Sequence, residues 1–165
     1  MKKYFNFIFK WINFKRKKYL LELQHNLVNL PLCYGIKSPD MFFYDFGFGE
    51  IFKTVDLYGG KDREIPTFAL HVCCAFEVIW KDKSKHSDIF SNDTPCDKFN
   101  AVMERLIGIP IKRVSLSEKY DLWLDLGVCW IVFATNEDKE ESWRFFSPNN
   151  RERHLVASNK KLKKQ

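Results

Sequence analysis

Four histidines and five cysteines, with a few strand-borne carboxylates, are the side chains of this 165-residue chain best suited to chemistry. His71 and Cys73 stand two residues apart, with Cys74 beside them. Alternation along a strand puts His71 and Cys73 on one face, where an imidazole could activate a thiolate. Nothing nearby supplies an orienting third group or an oxyanion hole, so nucleophilic catalysis is not expected. His71, Cys73 and Cys74 are also the nearest approach to a zinc site, but zinc takes ~4 ligands in clustered pairs. No metal and no cofactor are expected. His25 and His86 fall in polar surroundings and read as solvated, and His154, like His71, reads as a structural histidine in a strand. A catalytic alternative, an enzyme of unknown class, would need a pocket that gathers His71, Cys73 and Arg144.

The carboxylates suggest a different use. Asp121 and Asp125 share one strand face, ~13 Å apart along an extended chain, too far for a paired acid and base. They read as a solvated acidic face. Arg144, between Trp143 and Phe145, points away from both rings, toward Asp121, Asp125 or a partner. Glu137, Asp138, Glu140 and Glu141 make an acidic loop just before it. Complementary charge of this kind steers a basic partner and raises its association rate. The glycines of Phe46-Gly47-Phe48-Gly49 are too few for a dinucleotide fingerprint, and no helix opens after them.

The elements that must position these groups are strand-rich. At 45% hydrophobic and 16% aromatic the chain has ample material for a core, which excludes wholly disordered and collagen-like classes. No apolar run approaches the ~18–20 residues that span a bilayer. The net charge is +6, yet residues 1–20 carry seven basic groups and no acid, and residues 160–165 carry four and no acid, which leaves 21–159 at −5. Basic ends on an acidic body do not suit a nucleic-acid binder, so none is expected. An odd cysteine count, with Cys73 and Cys74 adjacent and no C-x-x-C, fits free thiols in a reducing cytoplasm.

Residues 1–18 form a basic, aromatic, amphipathic segment. Asn6, Lys10, Asn13 and Lys17 make one narrow polar stripe on a helical wheel. Phe5, Ile8, Phe9, Trp11 and Ile12 lie on the broad apolar remainder, followed by Lys15, Arg16, Lys17 and Lys18. Such a helix can lie in the interface of the inner face of a membrane, or dock on the domain or on a second subunit; a strand over 4–14 would also fit the alternation.

Residues 19–158 are expected to be one domain and 159–165 a basic tail. Leu20, Leu23, Leu27 and Leu30 predict a helix stopped by Pro31. Cys33 to Asp40 reads as a loop, Met41 to Phe46 and Ile51 to Tyr58 as separate strands, and Gly59-Gly60-Lys61-Asp62 as a hairpin turn. Pro66 to Trp80 reads as one long strand that must bend partway. After a polar loop over 81–92, Thr94 can cap a helix whose stripe is Phe99, Val102, Met103, Leu106 and Ile107. Strands over 111–116, 120–126, 128–134, 143–146 and 154–157 follow. Short strands with tight turns, and helices grouped at two points, predict an α+β fold, mostly an antiparallel meander with two main helices.

Three groups of residues carry a resemblance that spans roughly 30–157. They are Leu30-Pro31-Leu32 with Ser38-Pro39-Asp40-Met41 and Asp45-Phe46-Gly47; Ala69-Leu70-His71-Val72 and Cys74 with Ser87-Asp88-Ile89-Phe90; and Tyr120-Asp121-Leu122 with Trp143-Arg144-Phe145-Phe146 and His154-Leu155-Val156. In order and spacing the chain resembles a family of small uncharacterised bacterial proteins. Where that pattern has Trp-Arg after the cysteine, Phe76 and Glu77 stand here, so no role of that arginine carries over. The resemblance implies a cytosolic α+β fold and supplies no catalytic residue; by analogy, small proteins of this look can serve as toxin-immunity proteins. The expected function is therefore non-enzymatic: binding a protein partner, in its specific form a basic toxin, through Asp121, Asp125, Glu137, Asp138, Glu140, Glu141 and Arg144. The alternative is a peripheral membrane protein held by Phe5, Ile8, Phe9, Trp11, Ile12, Lys15, Arg16, Lys17 and Lys18.

Overall fold

Period-two alternation sends every second residue of most strands to one side, and two antiparallel sheets bury those sides against each other. The computed structural model describes residues 2–37, 43–55, 60, 62–82, 87–136, 140–148, 150–158 and 161–165, with side chains described over the same stretches except 2–13 and 150–153. In chain order the elements are α1 (Lys2–Leu27), β1 (Leu32–Lys37), β2 (Tyr44–Val55), β3 (Asp62–Val72), β4 (Phe76–Trp80), β5 (Asp88–Phe90), α2 (Cys96–Met103), β6 (Arg113–Leu116), β7 (Leu122–Asp125), β8 (Cys129–Phe133), β9 (Trp143–Ser147), β10 (Asn150–Ser158) and β11 (Lys161–Lys164). Six strands form one sheet in the order β1-β2-β3-β9-β10-β11, and five form the other in the order β5-β4-β8-β7-β6. The fold is α+β, with antiparallel meanders and two helices.

Aromatic rings fill the space between the sheets. Phe46 of β2 meets Phe133 of β8 edge-on at 5.2 Å, and Phe76 of β4 stacks on Phe90 of β5 at 4.8 Å. Such pairs add ~0.5–1.5 kcal/mol each beyond the area they bury. α2 contributes Phe99, Val102 and Met103 to this core, and α1 contributes Leu23 and Leu27. Trp143 is fully buried, and its indole N–H donates to the Tyr120 carbonyl at 3.2 Å. Lys37 donates to the carbonyls of Asn92 (2.7 Å) and Thr94, tying the turn before α2 to the first sheet.

The long run from Pro66 to Trp80 is two strands in different sheets. β3 ends at Val72, the chain crosses over Cys73–Ala75, and β4 begins at Phe76. The link from β8 to β9 crosses beside it, where the Cys73 N–H donates to Ser142 O at 2.8 Å. The far end of the sandwich is closed without a covalent crossing. There, residues 29–32 pair with 108–111: Asn29 N–H to Ile111 O, Ile111 N–H to Leu30 O, Leu32 N–H to Ile109 O and Gly108 N–H to Leu32 O, at 2.7–3.1 Å.

Other expectations need correction. Residues 33–37, read as loop, belong to β1. The two strands expected on either side of Gly47 and Gly49 are one strand, β2. Gly49 has φ +85° at a bulge between Phe48 and Ile51, so the glycine lets the strand continue rather than ending it. The polar loop over 81–92 contains β5, and the basic tail is the edge strand β11, whose Leu162 is buried. Its lysines suit an edge, since charge there discourages pairing with other chains. Thr94 does not cap α2: Pro95 is the N-cap, and the Thr94 hydroxyl accepts from Ser91 N–H. Ile107 is 47% exposed rather than part of the stripe. Of the turn expected at 59–62, residues 59 and 61 lie outside the described residues. The first segment is helical and continuous with the next, so α1 runs through the boundary expected at residue 18. It ends at Leu27, with Asn29 in the left-handed conformation two residues before Pro31. Among the described residues, no helix is long and apolar enough to cross a membrane.

Candidate functional site

The outer face of the six-stranded sheet collects much of the polar chemistry. Register places Ile36, Asp45, His71, Arg144 and Val156 in one row across five neighbouring strands. The next row holds Tyr34, Gly47, Ala69 and Phe146. Gly47 and Ala69 are small, so a trough forms between the rings of Tyr34 and Phe146. A Cβ on Gly47 would collide with the Tyr34 ring, so glycine is what lets that ring lie across the sheet. The resulting cleft measures about 480 Å³. Ile36 and Ile51, both about half exposed, line it, as do Arg63 and Glu64 from the start of β3.

Asp45 is the polar centre of the cleft. The Tyr34 hydroxyl donates to its Oδ2 at 3.2 Å. His71 Nε2 lies 3.3 Å from Oδ1, close enough for attraction if protonated, but out of line for a hydrogen bond. Oδ1 is therefore buried without a hydrogen-bond donor. Burial, and then the Asp45 charge, push the Tyr34 hydroxyl well above its ordinary pKa, which keeps it a donor. The His71 ring stacks on Phe43 at 5.0 Å and meets the Phe146 ring edge-on at 4.7 Å. Phe146 stacks in turn on His154 at 4.9 Å.

Arg144 is held beside this ring series by a bidentate pair with Glu141, at 3.0 and 2.5 Å. That hydrogen bonding raises its pKa. Its other terminal nitrogen lies 3.3 Å from His154 Nδ1. Guanidinium only donates, so this nitrogen of His154 must be the acceptor. Burial, and then the Arg144 charge, hold His154 below the usual imidazole pKa.

The outer face of the five-stranded sheet differs. One row runs Ile89, Glu77, Val132, Trp123 and Ser115, and the next runs Ile79, Trp130, Asp125 and Arg113. Trp123 and Trp130 meet edge-to-face at 6.0 Å. Lys81 and Arg113 lie over Trp130, 4.9 and 5.1 Å from its ring centre. Ala75, Glu77, Ile89, Val132 and Ala134 line a shallow hollow of about 190 Å³.

The expected partner-binding residues scatter. Asp125 does lie on the outer side of β7, but it is buried rather than solvated. Lys81 and Arg113 pair with it, and the Gly127 N–H donates to it at 2.8 Å. Burial alone would raise its pKa; these three partners outweigh that and lower it. Asp121 is also committed internally, accepting from the Ser117 hydroxyl at 2.9 Å and from Thr135 N–H at 2.8 Å. Glu141 is taken by Arg144, Glu140 is exposed, and Glu137 and Asp138 lie outside the described residues. Arg144 reaches neither Asp121 nor Asp125.

Of the expected membrane set, the side chains of Phe5, Ile8, Phe9, Trp11 and Ile12 lie outside the description. Lys17 and Lys18 are exposed, Lys15 is half-buried, and Arg16 approaches Glu118 at 4.0 Å. The cleft includes His71, but neither Cys73 nor Arg144 lines it. Burial raises the Cys33 thiol and pushes Cys129 up to about 12, which disfavours thiolate at neutral pH. Among the described residues, no group of three or more His, Cys, Asp or Glu is placed to hold a metal ion.

Sequence reasoning missed the roles of Tyr34 and Asp45. Asp45 had a signal, as the one charge between Met41 and Phe48. Tyr34 had none, because its use depends on a glycine in the adjacent strand. Compared with known proteins, the chain matches no family model, no curated protein and no solved structure.

Proposed function

We propose that this chain is a non-enzymatic protein-binding module that docks through the outer face of the five-stranded sheet. The row Ile89, Val132 and Trp123 carries the reading. Ile89 is 63% exposed, Val132 and Trp123 are half-buried, and no helix residue lines the hollow between Ile89 and Val132. Glu77 stands within the row, between Ile89 and Val132, and Lys81 and Arg113 lie over Trp130 in the row beside it. Interface hot spots favour Trp and Arg in such settings, an apolar centre within a polar border. The specific form suggested by the sequence resemblance, an immunity protein that occludes a basic toxin, rests on fewer acidic groups than the alternation implied, because Asp121 and Asp125 face internal partners.

The test is tagged expression at native level, with identification of whatever co-purifies near stoichiometry. One protein partner is expected, and Ile89→Asp and Trp123→Ala should each release it while circular dichroism shows the fold intact. A partner retained by both variants, or no partner at all, would refute this docking face. A basic toxin as that partner would establish the specific form.

One observation favours a second reading. Phe14 is 68% and Leu21 56% exposed on α1, with Lys17 and Lys18 exposed between them. Apolar groups interleaved with cations suit an anionic membrane surface. Flotation with vesicles containing anionic lipid, abolished by Lys17→Glu with Lys18→Glu, is the expected result; no flotation of the unaltered protein removes the reading.

A further inference from the structure

We infer that the cleft on the six-stranded sheet, on the opposite side of the sandwich from the docking face, binds a small organic amine: a primary ammonium carried on an apolar body. Three features converge on that chemistry. The first is the bare acceptor. Asp45 Oδ2 already has the Tyr34 hydroxyl, whereas Oδ1 is buried with no hydrogen-bond donor. A buried acceptor left unmet is costly, and more so when charged, so an N–H group that reaches Oδ1 as the His71 side chain beside it gives way is favoured. His71 cannot fully meet the need, because its Nε2 is out of line.

The second feature is the wall. Tyr34, His71 and Phe146 line the cleft together with Asp45. An aromatic face such as that of Tyr34 attracts a cation, and a carboxylate beside it supplies both the charge and the directional acceptor that an ammonium uses. Besides His71, the lining holds two carboxylates, Asp45 and Glu64, and one guanidinium, Arg63, so its permanent charges favour a cation. The third feature is the remaining lining. Ala69, Ile65, Pro66 and the half-exposed Ile36 and Ile51 give an apolar stem somewhere to bury. A volume of about 480 Å³ falls within the size range of small-molecule sites.

The experiment is an NMR titration of the whole protein with phenethylamine and, in parallel, with 2-phenylethanol, which has the same body and no charge. Phenethylamine should shift the resonances of Tyr34, Asp45, His71 and Phe146, and bind roughly tenfold or more tightly than the alcohol. Asp45→Asn should remove that preference while leaving the weak alcohol binding in place. Ala69→Leu, which fills the trough without touching a polar group, should abolish binding of both. Equal binding of amine and alcohol, shifts confined to other surfaces, or an amine preference that survives in Asp45→Asn would each overturn the inference. The partner test reads the opposite sheet through Ile89 and Trp123, so either proposal can fail alone.

Discussion

The two sheets obey the same alternation, yet their outer faces solve different problems. On the six-stranded sheet the outward groups answer one another across strands: Tyr34 with Asp45, Arg144 with Glu141 and His154, His71 between two phenyl rings. One oxygen, Asp45 Oδ1, is left over. On the five-stranded sheet Lys81 and Arg113 settle into one knot around Asp125, and the rest of the face is mostly indole and aliphatic surface, with Glu77 set among it. A surface lacking a single donor is suited to a small ligand. A surface lacking cover over a broad apolar row is suited to another macromolecule. The identity of the unmet need, more than the polarity of the face, separates the two.

The largest effect should come from the knot. Asp125→Ala leaves Lys81 and Arg113 without their shared partner and the Gly127 N–H without its acceptor. It should cost about 3 kcal/mol, below the upper range for buried pairs because both cations are partly exposed. Urea unfolding measures it; a loss under ~0.5 kcal/mol would mean that water replaces the carboxylate freely. Next is Gly47→Ala, which drives the Tyr34 ring away from the sheet. Overpacking of this kind should cost about 2 kcal/mol, with loss of the Tyr34 contact to Asp45 visible in the ring resonances. Unmoved resonances would show that the glycine is not what seats the ring.

A smaller effect is expected from pH. His154 has a lowered pKa in the fold, so the unfolded chain binds its proton first as pH falls. Its contribution is complete above the ordinary imidazole value of about 6.5 and is lost as pH drops through the lower folded value. Asp125 follows the same sign at lower pH: its contribution holds above about 3.9 and disappears below that as the folded carboxylate protonates. His154→Gln should therefore flatten the stability profile just below pH 6.5 and leave the acid limb intact, whereas Asp125→Asn should do the reverse. The smallest change belongs to Ile89→Asp, which should alter stability by no more than ~0.5 kcal/mol because the side chain is already in water. A larger loss would mean that the face is structural, and the contrast between the sheets would fail.

Much of the framework was legible because period-two burial is a local signal. Leu122, Leu124 and Leu126 are all buried, as their spacing implies. The break after Val72 was not legible, for a definite reason. Val72, Cys74 and Phe76 are all buried, because the chain leaves one inner face and joins the other without leaving the core. The alternation therefore continues unbroken through a change of sheet. Asp125 shows the complementary limit: its side of the strand followed from sequence, but its burial depends on Lys81 and Arg113, 44 and 12 residues away. β11 resembled a solvated tail because edge strands carry charge for the same reason that tails do, and Leu162 alone marked the difference.

The manner in which the sandwich is closed sets the order in which it can come apart. At one end the sheets are bound by the covalent chain at Cys73–Ala75 and 134–142; at the other, by the hydrogen bonds between 29–32 and 108–111. The first end is a spine and the second a clasp. α1 runs into the clasp through Val28 and Asn29, and Gln24 and Glu22 tie it to Val114 of β6 and Lys164 of β11, so a pull on that helix loads the clasp together with one edge strand of each sheet. The spine, being covalent, is the last part to yield.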